Sequence, residues 1–258
     1  MNQAGKKNST PLRWLRLTGV AGVIGAIMWI LGDVLLIGAT ASVADYPLVL
    51  DTYADRVDTE KAAMMLPSSE TRLAAGVLVA NVSVVFYLAG TWHLFRGLLP
   101  AGRWWAWPLF VLLLCGFAWT PLGHAAYYYI GMVYKTLLTT PSGAHEAILA
   151  LGERFHEVLV IAWTLPIVTI GLALLGLGVR IALGGTAWPR WFVLVANPVS
   201  LLAIGTAIAS VSPEPVATWL SGAAFNLGLL VIYVLSTMLL WNGGHRPPTH
   251  STPSVLSR

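Results

Sequence analysis

Three ionisable side chains stand inside or beside long apolar stretches, where charge is costly: Asp33, His124 and Glu157. An ionised carboxylate costs about 3 kcal/mol at the centre of a bilayer, so a buried acid needs a partner, water or a proton. An acid whose pKa is raised by burial can donate a proton, and a nearby histidine can remove one. We therefore interpret these residues as catalytic candidates. Hydration by headgroups is the alternative for Asp33, and a structural hydrogen bond between helices is the alternative for His124.

Aromatic and amide side chains are spaced to form the walls of a pocket around these groups. Aromatic rings stabilise a carbocation through cation–π attraction, and asparagine amides either contact a substrate or join helices. At about 1.5 Å rise per residue, Asp33, His124 and Asn226 all fall in the outer half of a membrane. The predicted substrate-binding residues are Asn81, Trp119, Tyr127, Tyr128, Trp163, Asn226 and Tyr233.

The elements that must position these residues are apolar helices. The chain has 258 residues, of which 57% are hydrophobic and 10% charged, and its mean hydropathy is +0.73. A soluble domain carries roughly a quarter charged residues, so lipid must be the solvent for most of this surface. We predict an all-α, polytopic transmembrane bundle of six helices, each near the ~20 residues of one crossing. The predicted helices are 17–38, 72–97, 105–135, 157–182, 190–211 and 217–241.

The connections between these segments alternate in charge. Arginines stand at the connections after the second and fourth segments, at Arg96, Arg103, Arg180 and Arg190, whereas the other connections are acidic or mixed. Because basic residues stay on the cytoplasmic side, this alternation predicts that both termini are cytoplasmic. The predicted location is the cell membrane, crossed several times.

Two connections on the acidic side are long enough to fold. Residues 39–71 are predicted to form short helices, interpreted as a lid, and residues 142–156 an amphipathic helix running into the fourth segment. Pro121 leaves open whether the third segment is one helix or two. We predict a single transmembrane domain over 1–241, followed by a Pro-rich, disordered tail over 242–258.

Several classes of chemistry lack their motifs in this sequence. It contains no Walker loop, no dinucleotide fingerprint, no H-E-x-x-H and no G-x-S-x-G. Glu153 and His156 spell one Glu-x-x-His, the pattern of di-metal bundles, but such a site needs a second copy. Basic residues are not interleaved with aromatics as in RNA-binding proteins. We therefore expect no metal, no cofactor and no nucleic-acid partner.

Three short stretches carry a resemblance: GDVLL (32–36), SSETRL (68–73) and GHAAYYYIG (123–131). They are similar to segments of a family of uncharacterised bacterial six-helix integral membrane proteins. The resemblance implies a six-helix membrane fold and supplies no activity. The architecture is also similar to that of small integral membrane terpene cyclases and sterol isomerases, although no motif of theirs is matched.

These observations lead to hypotheses of different classes. The first is an integral membrane enzyme whose outer-leaflet pocket acts by acid–base chemistry on a lipophilic, isoprenoid-like substrate, as a cyclase or isomerase does. The alternative is a non-catalytic binding protein or transporter for a small hydrophobic molecule, and a structural subunit of a complex is a third. The expected partners are membrane lipid and a small lipophilic substrate, and the oligomeric state stays open.

Overall fold

The computed structural model describes residues 12–243. Within that range the chain is all-α, as the sequence predicts, with eight α-helices and no β-strand. The predicted disordered tail lies outside the described residues, apart from its first two residues. The helices are α1 (Leu12–Ile37), α2 (Thr59–Met65), α3 (Glu70–Leu98), α4 (Arg103–Thr139), α5 (His145–Leu183), α6 (Pro198–Val211), α7 (Val216–Ser221) and α8 (Ala224–Leu240). Shorter helical turns occupy Leu48–Thr52, Leu99–Ala101, Ser142–Ala144 and Arg190–Leu194.

Four helices are long and apolar enough to cross a membrane. They are α1, α4 and two segments that join a helical turn to a long helix, Glu70–Ala101 and Ser142–Leu183. Even α1, the shortest at 26 residues, measures about 39 Å, which exceeds the ~30 Å of a hydrocarbon core. Large apolar side chains such as Leu78, Val82 and Ile161 point outward from them. A surface of this kind suits contact with lipid tails.

The proline at the middle of α4 does not break the helix, so the predicted third helix is a single element. Pro121 has no N–H to offer the carbonyl of Phe117, four residues earlier. The hydroxyl of Thr120 donates to that carbonyl instead, with 2.7 Å between Oγ1 and O. Such local side-chain bonds are how helices in apolar surroundings tolerate proline.

The fourth predicted helix continues without a break from the amphipathic segment before it, which confirms that this segment runs into it, and the combined helix begins at His145. The bounds of the last two predicted helices are wrong. The fifth begins at Pro198, not at 190, since the Asn197 side chain caps it and proline suits the first helical position. The sixth is not continuous over 217–241, because the chain turns between α7 and α8. By themselves α6 and α8, of 14 and 17 residues, are about 21 and 26 Å long.

Glycines let α1 approach its neighbours closely at the level where the polar residues lie. Gly32 of α1 and Gly76 of α3 face each other, and a Cβ on either would lie within 2.9 Å of the other's carbonyl oxygen. Further along α1, a Cβ on Gly22 would lie 2.3 Å from the Tyr233 ring of α8. Small residues at such crossings allow helices to pack by van der Waals contact. They bring α3 and α8 onto the face of α1 that carries Asp33.

The two ends of the bundle differ in charge. At one end the Arg16 Nε donates to the carbonyl of Trp241 (2.8 Å), and the Arg180 Nη2 donates to the carbonyl of Ala101 (3.3 Å). These contacts join the start of α1 to the end of α8, and the α3–α4 turn to the end of α5. The described arginines at this end are Arg13, Arg16, Arg96, Arg103, Arg180 and Arg190. The acidic side chains of the sequence lie toward the opposite end, apart from Asp33 within α1.

Residues 38–69, here called the cap, fold over the acidic end. Within the cap the chain forms the turn Leu48–Thr52 and helix α2. Arg56 makes ion pairs with Glu146 (3.2 Å) and Glu153 of α5. On the α4 side, the backbone N–H of Asp58 donates to the Tyr134 hydroxyl (3.2 Å). Polar bonds therefore hold the cap to both long helices.

Candidate functional site

The Asp33 side chain lies at the meeting point of three helices, near the capped end of α1. One carboxylate oxygen, Oδ2, accepts a hydrogen bond from the Asn226 Nδ2 of α8 at 2.7 Å. The other, Oδ1, lies 3.2 Å from the His124 Nε2 of α4. All three residues are buried, and Asp33 is only 5% exposed. The structure thus brings together three residues that the sequence placed at one depth.

A tyrosine of α3 extends this arrangement to a fourth helix. The Tyr87 hydroxyl donates to the Asn226 Oδ1 at 2.7 Å, which leaves the amide nitrogen of Asn226 to donate to Asp33. The Tyr87 ring stacks on Phe117, with centroids 4.6 Å apart. We call Asp33, Tyr87, His124 and Asn226 the polar cluster. Because each amide atom has one partner of the right kind, the orientation of Asn226 is determined by its neighbours.

His124 has one nitrogen bound and one free within the polar cluster. The Nε2–H group donates a hydrogen bond to Asp33. In the neutral ring Nδ1 then carries a lone pair and no proton. That Nδ1 is buried and has no hydrogen-bond partner among the described residues. The Trp29 ring lies 5.0 Å from the imidazole. A carboxylate therefore holds the imidazole in one orientation and leaves a nitrogen able to accept a proton.

Two more polar atoms near the cluster are buried without a partner among residues 12–243. They are the Trp29 indole Nε1 and the Tyr233 hydroxyl. The Tyr233 ring lies 5.9 Å from the Tyr87 ring and the Trp29 ring 6.0 Å from it, so both border the cluster. A buried polar group without a partner is costly, and native proteins keep few of them. These atoms leave hydrogen-bonding capacity that a polar ligand group could use.

Glu157 and Trp119 do not join the polar cluster. Glu157 is exposed and lines a separate pocket of about 390 Å³ between the cap and α5, beside Asp58 and His156. Trp119 is 48% exposed on the outside of α4. Since α5 begins at His145, Glu157 lies three turns inside the helix on an outward face, not at its start. Catalysis by Glu157 and substrate contact by Trp119 stay predictions.

The remaining predicted contacts lie on α3, α4 and α5. Tyr127 packs edge-on against Trp163, with ring centroids 5.8 Å apart, and so links α4 to α5. Tyr128 packs edge-on against the exposed Tyr129. Asn81 of α3 has a buried Oδ1 with no partner within the described range. Their roles in binding a substrate stay predictions.

Sequence reasoning missed Tyr87 and Trp29 as members of the site. A polar stripe on α3 could have revealed Tyr87, since Ser83, Tyr87 and Thr91 recur every four residues on one helical face. All three are buried, which shows that this stripe faces the bundle. Trp29 stands one turn before Asp33 and shares its face of α1. A residue one turn from a buried acid is therefore a candidate neighbour.

A second buried histidine provides a contrast. The His93 Nδ1 donates to the carbonyl of Leu15 and its Nε2 accepts from the Ser236 hydroxyl, both at 2.9 Å. The indole of Trp188 donates to the same hydroxyl at 2.9 Å. Every polar atom of this group has a partner, which is typical of a structural bond between helices. His124, with a free nitrogen, differs from His93 in this respect.

Charged side chains interact both within the cap and between the cap and α5. Burial by itself raises the pKa of Asp58, but hydrogen bonds from the Lys61 side chain and backbone outweigh it, so the pKa lies below its ordinary value. The Glu153 and Glu146 carboxylates raise the pKa of the Arg56 guanidinium. Across residues 12–243, no group of three His, Cys, Asp or Glu side chains is arranged to hold a metal ion. The 390 Å³ pocket between the cap and α5 is therefore lined by side chains that form ion pairs.

The fold and the polar cluster define a class: an all-α bundle with four helices fit to span a membrane and a buried Asp–His pair between them. The chain belongs to a family of unknown function, DUF6796, whose family model matches residues 5–242. This match confirms the resemblance to an uncharacterised family. No curated protein and no solved structure matches the chain significantly. Its function must therefore be argued from its own residues.

Proposed function

We propose that the protein is an integral membrane enzyme that carries out acid–base chemistry on a lipophilic, isoprenoid-like substrate at the polar cluster. The observation that carries the proposal is the buried His124, held by Asp33 through Nε2 while its Nδ1 has no partner among the described residues. A carboxylate that orients a histidine also stabilises the imidazolium that forms when the ring takes a proton.

The proposed reaction is an isomerisation or cyclisation without net change in protons. The His124 imidazolium donates its Nδ1 proton to an alkene of the substrate, which becomes a carbocation. The same Nδ1 then removes a proton from a neighbouring carbon, so that the new double bond forms and the imidazolium is restored. The rings of Trp29, Tyr87 and Phe117 pack around the cluster, and in this proposal a ring face turned toward the substrate stabilises the cation. Asp33 keeps the imidazole in place during both steps. A lipophilic substrate is favoured because the surroundings are apolar.

We further propose six membrane crossings with both termini in the cytoplasm. The arginine-rich end of the bundle then faces the cytoplasm and the cap faces outward. The helices α6 and α8 are shorter than a crossing. In this proposal the segments that precede them, the turn Arg190–Leu194 and helix α7, complete the two crossings. The polar cluster would then lie in the outer half of the membrane.

Cysteine labelling tests this topology. In a Cys115→Ala background, Gly143→Cys stands at the capped end with open space around it, and Pro100→Cys is exposed at the arginine-rich end. A membrane-impermeant maleimide added to intact cells should label Gly143→Cys at once. It should label Pro100→Cys only after the membrane is permeabilised. The reverse pattern would overturn the orientation. Labelling of both positions, or of neither, before permeabilisation would overturn the placement of the two ends on opposite sides of a membrane.

A turnover assay tests the chemistry. Purified protein is incubated with farnesyl- and geranyl-bearing lipids, and isomeric products are separated by chromatography and mass. Asp33→Asn and His124→Gln should each lower turnover by about 10²- to 10⁴-fold, the usual contribution of a positioned acid or base. Asp45→Asn, a change of the same type at an exposed cap residue, is the matched control. Activity that survives Asp33→Asn and His124→Gln, singly and together, would refute the scheme.

The alternative is a binding protein or transporter for a small hydrophobic molecule. One observation favours this alternative. Both carboxylate oxygens of Asp33 already have hydrogen-bond partners in the protein, which is typical of a rigid binding site. In that case a bound compound would be recovered unchanged. Proton-coupled transport would appear as uptake that depends on pH and is lost in Asp33→Asn, without any isomeric product.

A further inference from the structure

A groove at the arginine-rich end runs along the first turns of α4. It encloses about 900 Å³ and is lined by Arg103, Trp104, Trp107, Pro108, Val111 and Leu112. Residues 104, 107, 108 and 111 recur every three or four positions, so they share one helical face. Trp104 is 93% exposed, the largest exposed fraction among the described apolar side chains. The volume falls within the ~300–1,000 Å³ of known ligand sites.

The walls of this groove are held by packing and not by a ligand. The Trp107 ring lies 4.8 Å from the Phe95 ring of α3 and 5.7 Å from the Phe110 ring. On another face of α4, the Trp105 ring is covered by the Arg180 guanidinium at 6.0 Å. The groove is therefore formed in advance, with Trp104 as its free edge. Pre-formed apolar walls lower the ordering cost of binding.

The charge at the mouth of the groove is positive. Arg103 is exposed, and its side chain makes no hydrogen bond or ion pair with any described residue. In this it differs from Arg16 and Arg180 at the same end, whose side chains donate to backbone carbonyls. Gly102, which precedes α4, provides no side-chain cap, so the first backbone N–H groups of the helix point toward the same region. An arginine and a helix N-terminus both favour an anion, above all a phosphate.

We propose that this groove binds one anionic phospholipid, with an acyl chain along the Trp104–Val111 face and the phosphate between Arg103 and the start of α4. Acidic side chains are absent from this end of the described bundle, so nothing there opposes a negative headgroup. The cytoplasmic leaflet, where the arginine-rich end is placed above, is the anionic one. The inference rests on that membrane placement and not on the chemistry of the polar cluster.

Native mass spectrometry of the protein in a non-ionic detergent tests the site. Phosphatidylglycerol and phosphatidylcholine with the same acyl chains are titrated in parallel. We expect one phosphatidylglycerol to bind more tightly than any phosphatidylcholine. Arg103→Gln should weaken that binding on the order of ten-fold, the usual effect of losing a charge-assisted hydrogen bond. Arg103→Lys, which keeps the charge, should weaken it less, and Arg13→Gln, an exposed arginine outside the groove, should leave it unchanged.

Three results would overturn the proposal. The first is equal retention of the two lipids, and the second is unchanged binding in Arg103→Gln. The third is a dimer that separates into monomers on Trp104→Glu and retains no lipid, because the groove would then be covered by a second copy. Asp33→Asn should bind phosphatidylglycerol as the wild type does. Loss of turnover and loss of lipid binding are therefore separate outcomes.

Discussion

The sharpest structural prediction concerns Asn226, which joins Asp33 to Tyr87. Replacing it by alanine leaves the Asp33 Oδ2 and the Tyr87 hydroxyl without their 2.7 Å partners while both stay buried. Each buried polar group left without a partner costs about 1–3 kcal/mol in water-soluble proteins, and interhelical bonds in membranes average about 0.6 kcal/mol. For two groups these values bracket about 1–6 kcal/mol. We expect Asn226→Ala to destabilise the bundle within that range.

Unfolding of the purified protein in mixed micelles with increasing dodecyl sulfate, followed by tryptophan fluorescence, measures this loss. Asn81→Ala is the matched control, because the Asn81 Oδ1 has no partner among the described residues. Its effect should stay below about 0.5 kcal/mol. Combining Asn226→Ala with Tyr87→Phe should cost less than the sum of the two single changes, with a coupling of about 0.5–3 kcal/mol. Equal losses for Asn226→Ala and Asn81→Ala would refute the reasoning.

Two further predictions use the same unfolding measurement. Gly22→Ala should destabilise the protein by about 1–3 kcal/mol, because its Cβ would lie 2.3 Å from Tyr233. Gly171→Ala should be neutral or stabilise the protein by up to about 1 kcal/mol, because a Cβ at this position would meet no atom within 4 Å. A similar loss of stability at both positions would contradict the packing. At the cap, Lys61 holds the Asp58 pKa below its ordinary value. The free energy of unfolding of the wild type should therefore exceed that of Asp58→Asn by a constant amount above about pH 4, and this difference should disappear as the pH falls below that value. A difference that does not depend on pH would contradict the ion pair.

Much of the helical content could be predicted because it depends on local composition. Long apolar segments and proline positions are visible in the sequence, and the predicted third helix matches α4 closely. The amphipathic segment before the fourth predicted helix was also visible as a pattern, and it forms the first turns of α5. Its first residue is held from outside the helix as well, since the His145 Nδ1 accepts from the Tyr53 hydroxyl of the cap at 2.8 Å. The start of α6 was missed, although its cap is visible in the sequence as Asn-Pro.

The candidate site could be predicted in part for the same reason. Depth along a helix follows from counting residues, so Asp33, His124 and Asn226 could be placed at one level. Their convergence also needs the right rotation of each helix about its axis. Counting residues does not give this rotation. Glu157 was predicted at a depth that suits the site, but its side chain points outward from α5.

By itself, the sequence determined the all-α class, the long apolar helices, the charge difference between the ends and the level of the buried acid. These are properties of composition and of the 1.5 Å rise of a helix. Only the tertiary structure decided which side chains meet. The close crossings at Gly32 and Gly22 set the distances between α1, α3 and α8, and thereby bring Tyr87 to Asn226 and Asn226 to Asp33. Helix–helix geometry depends on packing between residues far apart in the chain, and no local pattern encodes it.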